Sequence, residues 1–169
     1  AIRTPDLEKA LVLATTSYIE KDPAYAVVAS RLLRGRIYRE VIGRSVGADE
    51  LDEAYRAAFV DGIKRGLADG IFDPRLGSFD LEALSRRLVL DRDDLLTYLG
   101  VQTLAERYFV KVGEPGSERL LETPQAFWMR AAMGLAVLED APERRAVEFY
   151  ELYSTLRFVS STPTLFHSG

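Results

Sequence analysis

Proline residues at the expected first turns of helices constrain the fold of this chain most strongly. The pairs Thr4-Pro5, Asp22-Pro23, Thr123-Pro124 and Ala141-Pro142 are each followed by apolar residues at helical spacing. Proline is favoured in the first helical turn, where its missing N–H has no partner to lose, and Thr or Asp can cap the same end. The four pairs therefore predict four helix starts. The stripe predicted to face the core from the first helix is Leu7, Leu11, Ala14 and Tyr18.

Between the second and third of these starts, the pattern changes twice. Apolar periodicity predicts a long helix from about Asp49 to Leu67 and shorter helices over Leu81 to Leu88 and Leu95 to Glu106. A β-branched and aromatic run then begins at Tyr108, and a Gly- and Pro-containing loop separates it from Arg119 to Glu122. That arrangement is typical of a small β-hairpin. The expected fold class is mainly α, with several helices and one hairpin.

Composition limits the classes of protein to which the chain can belong. With 169 residues, of which 47% are hydrophobic, one domain with a sizeable core is expected. No apolar run reaches membrane-spanning length, and no signal-peptide core occurs at the start. The net charge is −4, with basic and acidic residues interspersed, which argues against a nucleic-acid partner. The absence of cysteine fits a cytoplasmic protein without disulfides.

The residues do not form a recognisable catalytic set. His167 is the one histidine and has no evident acidic partner in the sequence. The cluster Asp91, Asp93 and Asp94 is interpreted as capping a helix N-terminus rather than binding a metal, because no His or Cys lies nearby. No glycine-rich nucleotide loop is present. We therefore expect no catalytic residue, no cofactor and no metal site within this segment.

The last ten residues, Ser160 to Gly169, are hydroxyl-rich and contain Thr162-Pro163. The residue before a proline is disfavoured in the helical region, so this run is expected to be extended. Its hydroxyl groups can donate hydrogen bonds to an anionic oxygen such as that of a phosphate. They can equally be solvated groups at the end of a strand, since Ser and Thr are mostly exposed.

Four segments, in order, carry a resemblance to a known family. Thr162 to Gly169, with the sequence TPTLFHSG, resembles the start of the catalytic barrel in the large (alpha) subunit of class I ribonucleotide reductases. Tyr98 to Tyr108 is similar to the family's segment before its small hairpin, and Glu122 to Gly134 to its Glu-x-Pro-Gln helix. Asp22 to Leu33 is similar to its first helical hairpin. Adenosylcobalamin-dependent reductases share the barrel, but the region from Tyr98 to Gly134 is closer to class I.

The resemblance implies a division of the chain and a substrate site. Residues 1–155 would be the helical amino-terminal domain, without the family's ATP cone. Residues 156–169 would begin the catalytic domain as the first strand of a ten-stranded α/β barrel completed elsewhere. Thr162 would contact the substrate phosphate, with Ser161 and Pro163 shaping the same wall.

The resemblance also implies partners. The full enzyme would reduce ribonucleoside diphosphates to deoxyribonucleotides by radical chemistry. Its catalytic cysteines would lie in the remainder of the large subunit, which would form an alpha dimer, and the metal-radical cofactor would lie in a small subunit. The segment alone is expected to be inactive. The alternative is a non-catalytic helical protein-interaction module, which an ordered tail over Leu156 to Phe166 in the isolated chain would favour.

Overall fold

The computed structural model describes residues 4–169, most of which are helical. None of the helices in this range is both long and apolar enough to cross a membrane. Two short 3-10 helices, Pro74–Ser78 and Leu90–Leu95, lie between the longer elements. The α-helices are α1 (Thr4–Thr16), α2 (Ala24–Ile42), α3 (Leu51–Ala68), α4 (Leu81–Ser85), α5 (Tyr98–Arg107), α6 (Pro124–Ala136), α7 (Pro142–Ser154) and α8 (Thr162–His167).

The predicted helix starts are confirmed. Helices α6 and α7 begin at Pro124 and Pro142, and α2 begins directly after Pro23. Helix α1 begins at Thr4, although the side chains of Thr4 and Pro5, to which the predicted cap belongs, lie outside the described part of the chain. Proline chemistry in the sequence was therefore sufficient to locate these four helices.

Helix α6 lies at the centre of the fold. Its side chains are buried apart from Leu135, which is 38% exposed, and Phe127, Met129 and Met133 are fully enclosed. A helix with apolar residues on most of its surface is typically buried. The small side chain of the fully buried Ala131 lets neighbouring elements approach α6 closely. Helix α7 packs along α6 and contributes the buried Tyr150. Helix α6 is therefore the central element against which the neighbouring segments pack.

The small hairpin is confirmed, with shorter strands than the sequence pattern predicted. Strands β1 (Lys111–Val112) and β2 (Arg119–Leu120) are antiparallel, with Lys111 opposite Leu120 and Val112 opposite Arg119. The connecting loop contains Gly113 and Gly116, whose φ angles are 123° and 87°. These left-handed conformations are open to glycine without steric strain, which explains the glycines in this turn.

The inward stripe predicted for α1 is wrong. Leu7, Leu11 and Tyr18 are 53%, 47% and 45% exposed, whereas Val12 is buried at 6%. Helix α1 packs mainly against α2, so that contact decides which of its apolar residues are covered. Periodicity identified the helix but could not select between two adjacent apolar stripes.

The carboxyl-terminal segment also differs from the expectation of an extended first strand. Residues Thr162–His167 form the short helix α8, and the extended conformation falls instead on Ser161, with φ −61° and ψ 155°. Pro163 lies in the first turn of α8, just as other prolines lie in the first turns of α6 and α7. A strand needs a partner for its backbone groups, and the sheet found within residues 4–169 is the two-stranded hairpin. Helix formation satisfies those groups locally.

Candidate functional site: the carboxyl-terminal segment and its supports

Ser161, Thr162 and Pro163 lie together at the start of α8, and all three are exposed. The Thr162 Oγ1 atom lies 3.0 Å from the Tyr108 hydroxyl oxygen. The Ser161 Oγ atom lies 3.3 Å from Thr164 Oγ1. The three residues predicted to bind substrate, which are consecutive in the chain, are therefore at the surface, and both of their hydroxyl groups lie within hydrogen-bond distance of other hydroxyls.

Tyr108 connects this segment to the hairpin. It ends α5, and its backbone N–H donates to the Leu104 carbonyl oxygen. Its ring stacks on Phe166 of α8 with centroids 5.0 Å apart, and it lies 6.2 Å from the ring of Phe127 in α6. The phenol is therefore held between two aromatic rings while its hydroxyl reaches Thr162.

A buried ion pair holds the same segment from below. The Arg130 guanidinium pairs with the Glu122 carboxylate, and the side chains are only 2% and 4% exposed. Arg130 Nη1 donates to the Ser168 carbonyl oxygen over 2.6 Å, and Glu122 Oε2 accepts from the Val110 N–H over 2.9 Å. These hydrogen bonds link the hairpin to the end of the chain through two buried charges.

The Arg130 guanidinium is enclosed by apolar rings as well as by its polar partners. Its carbon atom lies 5.3 Å from the ring centroid of Phe72 and 5.4 Å from that of Phe127. Charge-assisted hydrogen bonds and ring faces together offset the cost of removing the guanidinium from water. The position of the Ser168 carbonyl is therefore set by a rigid group.

Gly134 lets the end of the chain lie directly on α6. A Cβ atom added at Gly134 would lie 2.2 Å from the Gly169 nitrogen and 2.4 Å from the Ser168 carbonyl carbon. Real Cβ atoms do not approach that closely, so only glycine permits this packing. The glycine thus explains how residues 168–169 reach the buried Arg130.

The interpretation of Asp93 as a helix cap is wrong. Asp93 is fully buried, and it accepts hydrogen bonds from the hydroxyls of Tyr38 (2.6 Å) and Tyr55 (2.9 Å) and from Gln125 Nε2 (2.6 Å). Burial raises the pKa of Asp93, although the three donated hydrogen bonds favour the carboxylate and oppose that rise. The carboxylate therefore connects α2, α3 and α6 inside the core.

The neighbouring acid has a different role. Asp94 is exposed and pairs with the buried guanidinium of Arg34, whose hydrogen bond lowers the pKa of Asp94. Within residues 4–169, no group of three His, Cys, Asp or Glu side chains is arranged to hold a metal. His167 is exposed at the end of α8. Within this cluster, Asp93 thus forms hydrogen bonds in the interior and Asp94 forms an ion pair at the surface.

No role for Glu122 or Arg130 was predicted from the sequence, and the role predicted for Asp93 was a helix cap. One signal was present for Arg130, which stands between Met129 and Ala131 in an apolar helix. A charge at such a position needs a partner if the helix is buried. No comparable local signal marks Asp93, because its partners come from three other parts of the chain.

Comparisons with known proteins bear on the same segments. Residues 94–169 match the family described as "Ribonucleotide reductase, all-alpha domain". The alpha subunit of ribonucleoside-diphosphate reductase from Chlamydia muridarum is 42% identical over 172 residues, covering 99% of this chain and 16% of the relative. The corresponding subunit from Helicobacter pylori strain 26695 is 34% identical, covering 97% of this chain and 20% of the relative. The chain belongs to the ribonucleotide reductase large-subunit family.

The similarity extends to more distant members of the ribonucleotide reductase family. The large subunit of ribonucleoside-diphosphate reductase from Danio rerio is 25% identical over 99% of this chain. The chain spans between 16% and 20% of the length of these curated relatives. It therefore corresponds to one part of a reductase large subunit, and the buried Glu122–Arg130 pair and Asp93 belong to that part.

Proposed function

We propose that this chain supplies the helical domain and one wall of the substrate site of a class I ribonucleoside-diphosphate reductase. Such an enzyme reduces ribonucleotides to deoxyribonucleotides by radical chemistry. The observation that carries the proposal is the similarity to reductase alpha subunits along 99% of the chain. Because the chain contains no cysteine, the cysteine chemistry of the reaction belongs to another part of the subunit, and the segment alone is inactive.

Thr162 is the proposed contact to the substrate diphosphate, with Ser161 and Pro163 beside it. The exposed hydroxyls of Ser161 and Thr162 suit this role because a phosphate oxygen accepts hydrogen bonds and a hydroxyl can donate one. Pro163 limits the backbone freedom of the segment, which reduces the entropy lost when the ligand binds.

The proposed main partner is the remainder of the large subunit, with the catalytic domain beginning near residue 156. Three large apolar side chains in this region support a covering partner, since Phe158, Val159 and Phe166 are 54%, 57% and 50% exposed. The further proposed partners are a second alpha subunit and a small subunit that carries the metal-radical cofactor. The proposed location of the assembled enzyme is the cytoplasm.

The test is a kinetic comparison in the full-length large subunit assembled with its small subunit. Replacing Thr162 with Val removes the hydroxyl but keeps the side-chain shape. Loss of a hydrogen bond to a charged phosphate corresponds to about a 10- to 100-fold rise in KM for a ribonucleoside diphosphate. Thr16→Val is the matched control, because the Thr16 hydroxyl donates only to the Leu13 carbonyl of its own helix. A Thr162→Val enzyme with unchanged kinetics would contradict the proposed site.

A second function, that of a non-catalytic helical interaction module, is favoured by one observation. The tail packs against its own chain, since Leu165 is 4% exposed and Arg130 donates a hydrogen bond to the Ser168 carbonyl. Mixing this chain with a separately purified remainder of the large subunit distinguishes the two functions. Association that restores reductase activity supports the enzyme, whereas a monomer that never associates with the remainder supports the module.

A further inference from the structure

The Tyr108 hydroxyl, at the end of α5, contacts the hydroxyl of Thr162, the residue proposed to bind the substrate phosphate. The two oxygens lie 3.0 Å apart, and either can be the donor. Tyr108 lies 54 positions earlier in the chain, at the end of α5. A contact between such distant positions, with both hydroxyls at the surface, is not a by-product of local chain geometry.

We infer that Tyr108 is a positioning residue that orients the Thr162 hydroxyl towards the substrate diphosphate. This inference rests on the proposed function of Thr162. A hydroxyl carries one proton, and an ionised phosphate oxygen can only accept. When Thr162 donates its proton to the phosphate, the hydrogen bond with Tyr108 must therefore run from the tyrosine to the threonine oxygen. Tyr108 then fixes the direction in which Thr162 donates.

The surroundings of Tyr108 suit this role. Its ring is stacked on Phe166, with an interplanar angle of 20°, and lies near Phe127 in the buried helix α6. These contacts hold the phenol before any ligand binds, so little side-chain entropy remains to be lost on binding. The stack also ties Tyr108 to the same helix that presents Thr162, so the hydroxyl pair moves as one unit.

The variant Tyr108→Phe separates the hydroxyl from the ring, because phenylalanine keeps the stack on Phe166 and removes only the donor. In the full-length large subunit assembled with its small subunit, we expect KM for a ribonucleoside diphosphate to rise about three- to tenfold, with kcat nearly unchanged. The inhibition constant of inorganic pyrophosphate should rise by a similar factor. Tyr98→Phe is the matched control, at the other end of α5, where no hydrogen bond of the tyrosine hydroxyl is found among the described residues.

A double-mutant cycle with Thr162→Val distinguishes orientation from a separate contact. If Tyr108 acts through Thr162, the double variant has the KM of Thr162→Val alone, because there is no hydroxyl left to orient. If the two effects multiply, Tyr108 does not act through Thr162 and the inference is overturned. Unchanged KM in Tyr108→Phe, or a fall in kcat with unchanged KM, overturns it as well.

The same measurements separate this inference from the proposed function. If Thr162→Val leaves KM normal, the proposed contact between Thr162 and the substrate is refuted. If Thr162→Val raises KM and Tyr108→Phe leaves it normal, the proposed substrate contact of Thr162 is supported and only the positioning role of Tyr108 is refuted.

Discussion

Replacing Asp93 with asparagine tests whether the buried polar cluster stabilises the core. Asp93 accepts from Tyr38 and Tyr55 at one oxygen and from Gln125 at the other. Asparagine has nearly the same shape, but one of its two terminal atoms is a donor. The substitution therefore leaves the packing in place and creates a contact between two donors.

The neighbouring groups cannot easily relieve that mismatch. Turning the Gln125 amide would move away the oxygen that accepts from the Tyr150 hydroxyl over 2.7 Å. The Tyr150 oxygen in turn already accepts from the Val89 N–H over 2.9 Å. If the new amide faces the two tyrosines instead, at least one hydroxyl proton loses its acceptor. Either orientation leaves one or two buried donors unsatisfied, each costing about 1–3 kcal/mol.

The expected decrease in the free energy of unfolding is about 3 kcal/mol, measured by urea denaturation of the 169-residue chain. In a thermal melt, this corresponds to a decrease in Tm of about 6–12 °C for a protein of this size. The matched control is Asp91→Asn, on the same 3-10 helix but exposed, which should change stability by less than about 0.5 kcal/mol. Equal stability of the Asp93→Asn and Asp91→Asn chains would refute the reasoning.

Two further predictions concern close packing and pH. Gly134→Ala should displace residues 168–169 and destabilise the chain by about 1–3 kcal/mol, seen as faster hydrogen exchange of the last turn of α8. Gly35→Ala, where nothing lies within 4 Å of the added Cβ, should be neutral or stabilising, and equal exchange in both variants would contradict the packing argument. Because Arg34 lowers the pKa of Asp94, the stability that Asp94 contributes should be present above the ordinary Asp pKa of about 3.9 and be lost as the pH falls through the lower folded-state value. Urea titrations of wild type and Asp94→Asn at stepped pH check this, and a stability difference that grows on acidification would contradict it.

Local chemistry made the helices and the hairpin predictable. Proline in the first turn of α6 and α7, and glycines with positive φ between β1 and β2, depend on interactions within a few residues. The membership of the large-subunit family was also visible in the sequence, because its motifs occur in order along the chain. For the proposed substrate site, the sequence predicted Ser161, Thr162 and Pro163, which are exposed in the structure.

The same local rules were insufficient at the end of the chain. The residue before Pro163 was expected to be extended, but Thr162 begins a helix and Ser161 takes the extended conformation instead. The pre-proline preference for an extended backbone is a bias on Thr162 alone. The hydrogen bonds of the helix outweigh it, beginning with that from the Leu165 N–H to the Ser161 carbonyl oxygen. A strand would have required a neighbouring strand, and local sequence does not contain that information.

The sequence by itself determined where helices begin, where the chain reverses and to which family it belongs, since each of these depends on short-range chemistry or ordered motifs. Only the tertiary structure decided which charges are buried and what they hold. Asp93 meets partners from positions 38, 55 and 125, and Arg130 joins Glu122 to the Ser168 carbonyl. Tyr108 reaches Thr162 across 54 positions. Such contacts form because burial forces each polar group to find a partner in space, and distance along the chain places little limit on which partner it finds.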